Sequence, residues 1–166
     1  MTLGDLNTAD ADAAARALLR CCGSTTWAAR VAASRPFHDL DRLLEAADAA
    51  WRSLDRGDWL EAFAAHPRIG QQPTSAWASQ EQAGTAHAAA EVRDRLAAAN
   101  REYEARFGYI FIVCAAGRSA VEMLAALEQR LAHDPQRELP IAAEEQRRIM
   151  RLRLAKLFDM NGNERS

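Results

Sequence analysis

The chain has 166 residues, with 21 Lys and Arg against 23 Asp and Glu and a formal net charge of -2. That length suits one compact domain with a real core, and a near-neutral balance without a basic tract or interleaved aromatics gives no electrostatic footing to nucleic-acid binding. The longest apolar runs, such as Tyr109 to Ala116, are too short to span a bilayer. The first residues lack the order of a signal peptide and the ending Glu164-Arg165-Ser166 is not a peroxisomal tripeptide, so a soluble, cytoplasmic protein with no membrane partner is expected.

In chain order, Asp10 is expected to cap a first helix bearing Ala13, Ala14, Ala17 and Leu18, closed by Gly23 in the left-handed conformation. Ser24 and Thr25 offer caps to a short helix with Trp27 and Val31, which Ser34-Arg35-Pro36 breaks. After Asp39, the set Leu40, Leu43, Leu44, Ala47, Trp51 and Leu54 recurs at i, i+3, i+4, i+7 as one apolar stripe. Arg56-Gly57 should end it, and Asp58 should cap the next helix, Trp59 to Ala65. Gly70 to Ser79, with Pro73 and Thr74-Ser75, reads as a loop that could wall or cover a pocket. From Gln80 to about Arg106 strong helix formers predominate, and Phe107-Gly108 supplies a stop.

Tyr109-Ile110-Phe111-Ile112-Val113-Cys114 has the composition of a strand. No second strand is visible to pair with it, so it is expected as extended or irregular chain buried between helices, able to offer backbone groups to a small ligand. Gly117-Arg118-Ser119 then opens a helix with Val121, Leu124, Leu127 and Leu131 that ends near Asp134-Pro135. A last helix from about Pro140 carries Ile141, Ile149, Leu152, Leu157, Phe158 and a basic run from Arg147 to Lys156. The expectation is an all-α, single-domain bundle of about seven or eight helices, with one buried irregular or extended segment near 109–116. Its alanine-rich helices leave a homodimer open, although packing within one domain accounts for the same residues.

Chemistry concentrates at His66-Pro67-Arg68-Ile69-Gly70 and at Trp77-Ala78-Ser79-Gln80-Glu81-Gln82-Ala83-Gly84. Pro67 disfavours helical dihedrals at His66, which places the imidazole where a helix stops. Ser79 and Gln82 have capping-box spacing, which places Glu81 in the first turn of the next helix. A histidine ending one helix and a carboxylate opening another can hold and deliver a proton across a pocket. The same residues also suit plainer roles, the His as a helix end satisfied by a carbonyl and the Glu as a partner of the helix dipole. The three cysteines form no metal-ligand spacing and imply no disulfide framework, and Cys114 reads as a small buried hydrophobe more readily than as a nucleophile. His38, His87 and His133 do not share zinc-type spacing with each other or with His66. No metal is therefore expected, and no glycine-rich phosphate loop points to another cofactor.

Cys21-Cys22-Gly23-Ser24 followed by Trp27, then Arg35-Pro36-Phe37, His66-Pro67-Arg68-Ile69-Gly70, Glu81-Gln82-Ala83-Gly84, Asn100 with Tyr103, Arg106-Phe107-Gly108 and Phe111-Ile112-Val113-Cys114-Ala115-Ala116-Gly117 occur in one order over nearly the whole chain. Together they resemble the OHCU decarboxylase family, all-helical enzymes that decarboxylate 2-oxo-4-hydroxy-4-carboxy-5-ureidoimidazoline (OHCU) to (S)-allantoin at the end of urate breakdown. The resemblance implies that His66 is the proton donor, that Glu81 orients its imidazole and favours its charged form, and that no cofactor is needed, because the substrate's ring conjugation takes up the charge. It implies further that Pro67, the stretch Ala78, Ser79, Gln80, Glu81 and Gln82, and the stretch Phe111, Ile112, Val113, Cys114 and Ala115 contact substrate.

Gln82 could hydrogen-bond ring or ureido amides, or could complete the capping box instead. For the anionic substrate's positive partner, Arg153 is the aligned position and Arg151 its competitor, and a solvated helix face is the commoner fate of such basic runs. The loop between Gly70 and Ser79 is shorter than in some members of the family. The alternative from another class is a catalytically inactive helical module that holds a ureide or purine-derived ligand. Retention of both His66 and Glu81 favours the enzyme.

Overall fold

A computed structural model of the chain describes residues 1–68 and 86–159. Among the described residues there are eight helices and no strand: α1 Leu3–Thr8, α2 Ala11–Leu19, α3 Thr25–Ala33, α4 Leu40–Arg52, α5 Arg56–Ala64, α6 Ala86–Phe107, α7 Ala120–Leu131 and α8 Pro135–Asp159. The chain is all-α, as expected. Packing gathers it into two compact units, Met1–Ala65 with Ala143–Ser166, and His66–Ala142.

In the first unit the local capping chemistry works as the sequence suggests. Asp10 and Ser24 accept hydrogen bonds from the N–H groups of Ala13 and Trp27, and Asp39, not singled out as a cap from the sequence, accepts likewise from Arg42. Helix α1 is an addition: Thr2 and Asp5 bond reciprocally as a capping box, with Asp in the place usually taken by Glu or Gln, and Leu6 is fully buried. Arg35 holds the end of α1 by donating to the carbonyls of Leu6 and Ala9, both at 2.7 Å. Each buried or half-buried indole in this unit has an acceptor, Trp27 in Ala47, Trp51 in Ala143 and Trp59 in Trp51, at 2.9–3.1 Å.

Two boundaries differ from expectation. Helix α4 ends at Arg52, and Asp55 rather than Asp58 caps α5, so that Arg56-Gly57 lies inside its first turn. Asp58 instead accepts from the Thr26 hydroxyl at 2.9 Å. Gly23 does not take the left-handed conformation, because α2 stops through Arg20 in right-handed backbone. What Gly23 supplies is space: a Cβ there would collide with the Cβ of Ala65. Gly23→Ala is therefore expected to destabilise the protein by about 1–3 kcal/mol, read as a lower urea midpoint, and Ala65→Gly in the same chain should return part of that loss.

In the second unit α6 packs on α7. Gly108 ends α6 with φ +84° while its N–H bonds the Glu104 carbonyl at 2.9 Å, a left-handed stop that a side chain would strain. The segment that follows is non-helical, and Tyr109, Phe111, Ile112 and Val113 are buried. Tyr103 of α6 meets Phe107, Tyr109 and Phe111 with ring centroids 4.6–5.8 Å apart. Ser119 caps α7 as expected, but Val121 points outward at 62% exposure, and Met123 and buried Arg130 take inward places. Helix α8 starts at Pro135, not near Pro140. The Asp134 carboxylate caps it through the Arg137 N–H at 2.9 Å, and Pro135 sits in the first helical position, where a missing N–H costs nothing. Pro140 lies within the helix.

Candidate active site

His66 follows α5 directly. The helix closes through Ala65, whose N–H bonds the Ala62 and Phe63 carbonyls, and Pro67 forbids another helical turn. The imidazole carrier is half-buried, whereas Pro67 and Arg68 are exposed. Helix α5 is fastened on one side by fully buried Ala62 and Phe63. On another side Glu61 accepts from the N–H of Thr25 at 2.8 Å and from its hydroxyl at 3.2 Å, a carboxylate at the positive end of α3. Beyond His66, Arg68 pairs with Glu104 of α6 through both oxygens of the carboxylate, Nη2 at 3.1 Å from Oε2. The residues carrying the imidazole are thus held on both sides in sequence.

The extended segment expected to contact substrate is built around Arg130. Its Nη1 donates to the Ile112 carbonyl at 2.7 Å, its Nε donates to Glu138 Oε1 at 2.6 Å, and its guanidinium lies 4.4 Å from the centre of the Phe111 ring. Tyr103 donates to the same Oε1 at 2.6 Å, and His133 Nδ1 is 3.0 Å from Oε2. Burial and the Glu138 carboxylate push the Tyr103 phenol well above its ordinary pKa, so it stays a donor. In this way one carbonyl of the unpaired segment, that of Ile112, finds a donor. Within the segment, Cys114 is only half-buried, short of the buried hydrophobe expected, because it lies where the chain emerges toward exposed Ala115.

The basic run on α8 sorts itself by partner. Arg147 and Arg151 both pair with Asp48 of α4, and Arg147 pairs with Glu144 as well. Arg153 is exposed and makes no ion pair among the described residues. Its charge acts on Cys21 and Cys22, yet burial dominates there and pushes the thiols up to about 11 and about 12, so both stay neutral near pH 7 and are unsuited to nucleophilic work.

Ala78, Ser79, Gln80, Glu81 and Gln82 lie outside the described residues, as does the 70–79 loop. His66 belongs to the second unit with Pro67 and Phe111 to Ala115, and Arg153 belongs to the first. No cluster of His, Cys, Asp or Glu suited to a metal occurs among the described residues. Arg130 and Glu138, which hold the segment expected to contact substrate, are residues that sequence reasoning missed. A basic residue inside an amphipathic α7 gives no local sign of facing inward.

The family model for OHCU decarboxylase matches residues 7–155. The chain is 40% identical over 146 residues to the uric acid degradation bifunctional protein TTL of Arabidopsis thaliana, covering 83% of this chain and 45% of that protein. It is 29% identical over 162 residues to the 2-oxo-4-hydroxy-4-carboxy-5-ureidoimidazoline decarboxylase of Haloferax volcanii, covering 95% and 96% of the two. Its fold superposes on a crystal structure of OHCU decarboxylase in the presence of (S)-allantoin with a TM-score of 0.75 at 40% identity, covering 86% of this chain and 97% of that one. An (S)-allantoin synthase structure gives a TM-score of 0.70 at 25% identity, covering 96% and 55%. With the family model matched over residues 7–155, and with the motif residues His66 and Phe111 to Ala115 held in the geometry described above, the chain belongs to the OHCU decarboxylase family.

Proposed function

We propose that this chain, as a single domain, decarboxylates OHCU to (S)-allantoin without a cofactor. The observation that carries the reading is His66: the position of the family's proton donor holds a histidine, half-buried at the end of a helix fastened on several sides. Decarboxylation breaks the bond between the ring carbon and its carboxylate. The electron pair stays on that carbon, spread into the conjugated ring, until a proton arrives. A donor fixed on one face delivers it to that face alone, which is how one hand of allantoin arises, and the donor is then reprotonated from solvent. Glu81 is assigned the orientation of the imidazole. Pro67, Ala78 to Gln82 and Phe111 to Ala115 are assigned substrate contact.

Arg153 is assigned the substrate's negative charge, and its lack of an ion pair among the described residues supports that choice over Arg151, which is committed to Asp48. Arg153→Lys is expected to raise KM about tenfold or more, because an ammonium replaces the planar fork poorly. Arg151→Lys should leave KM near its starting value. Steady-state kinetics on the two variants checks this, and the reverse ranking moves the assignment to Arg151. The function itself is tested by mixing freshly made OHCU with the purified chain, without added metal, and following absorbance and circular dichroism together.

A further inference from the structure

We propose that Arg130 is a positioning residue for substrate binding: by holding the Ile112 carbonyl it fixes the peptide between Ile112 and Val113 and aims the Val113 N–H at an oxygen of the substrate. The inference rests on the reading of Phe111 to Ala115 as a substrate-contacting segment and assigns that segment a device which sets its orientation.

Three observations carry it. Arg130 is almost completely enclosed, at 6% exposure, and Glu138 is at 0%. Buried ion pairs contribute little net stability compared with well-packed apolar side chains, so the return on such an arrangement is orientation. The fork does two jobs at once, one nitrogen on the Glu138 carboxylate and another on the Ile112 carbonyl. The carboxylate is itself held by Tyr103 and His133. Finally, the peptide after Ile112 is trans, since the cis bond among the described residues is Arg35-Pro36. In a trans peptide the carbonyl and the following N–H point in opposite directions. With its oxygen tied to Arg130, the peptide must turn the Val113 N–H away from Arg130.

Val113 is buried, and nothing among the described residues accepts that N–H. A donor on a buried residue, with no acceptor among the described residues, is open to a ligand's oxygen. A ureide supplies the acceptors, as carbonyl or carboxylate oxygens.

Arg130→Lys separates orientation from chemistry. A lysine can reach Glu138 or the Ile112 carbonyl but cannot span both as the fork does. The expected result is a KM for OHCU raised about tenfold with kcat within about threefold of the unchanged chain, the scale of one well-placed hydrogen bond. Tyr103→Phe keeps the ring stack and removes one donor from Glu138. It should raise KM about threefold, and it decides the matter if Arg130→Lys fails to fold. A second readout is independent of turnover: in ¹⁵N-labelled protein, saturating (S)-allantoin should shift the Val113 amide resonance, and the shift should shrink in either variant. A folded variant with unchanged KM, a fall in kcat alone, as less folded enzyme would give, or a Val113 amide indifferent to (S)-allantoin overturns the proposal. If the unchanged chain does not accelerate loss of OHCU, the proposed function itself fails, an outcome distinct from variants that match an active parent.

Discussion

His66→Asn is expected to lower turnover of OHCU by at least about a hundredfold, the usual worth of a positioned general acid, while the protein keeps its helical circular dichroism and its melting temperature within a few degrees. The second expectation follows from where the residue sits. His66 lies beyond the last turn of α5, and the packing of that helix comes from Ala62 and Phe63. Asparagine also keeps a polar, hydrogen-bonding side chain next to Pro67. A well-folded His66→Asn protein with near-normal turnover would remove His66 from the chemistry. Residual allantoin made by the variant should also be closer to racemic, because protonation from solvent has no preferred face.

Glu81→Gln should slow the reaction by about tenfold or more, and combined with His66→Asn it should cost far less than the two losses together, as for residues that act as one unit. The change keeps the shape and hydrogen-bonding capacity of the side chain and removes its charge, so a loss reports the charge. Turnover of the two single variants and the double variant, measured at one pH, gives the comparison. Losses that simply add would make Glu81 a helix-start carboxylate with no part in orienting the imidazole.

What could be read from the sequence is the chemistry that acts over three or four residues. Asp10, Ser24 and Ser119 cap helices because each side chain reaches an N–H a few positions ahead, and that spacing is written in the chain. Pro67 announces the end of α5 in the same way, which is why His66 was legible as a helix-end residue. The misreadings occur where a residue type has two meanings. Asp134-Pro135 can stop one helix or start the next, and only the Arg137 contact shows that it starts α8. Gly23 can supply a left-handed turn or simply room, and the neighbour that decides, Ala65, is distant in the chain.

The same limit applies to the site. Irregular chain from Tyr109 to Ala116 could be expected from its apolar content and the lack of a partner strand. The hold on its Ile112 carbonyl could not, since Arg130 and Ile112 meet only after α6 and α7 have packed. Arg151 and Arg153 look alike in sequence, and their difference lies in the Asp48 carboxylate on another helix.

The central claim is that this chain places one proton on one face of the carbon that has lost CO2. Following the circular dichroism of allantoin as it forms from freshly prepared OHCU tests this most directly, because the substrate also decays unaided and the spontaneous product is racemic. The account predicts that catalytic amounts of the unchanged chain give allantoin faster than buffer alone and with a large excess of the S form. Racemic allantoin appearing at the buffer rate would contradict it.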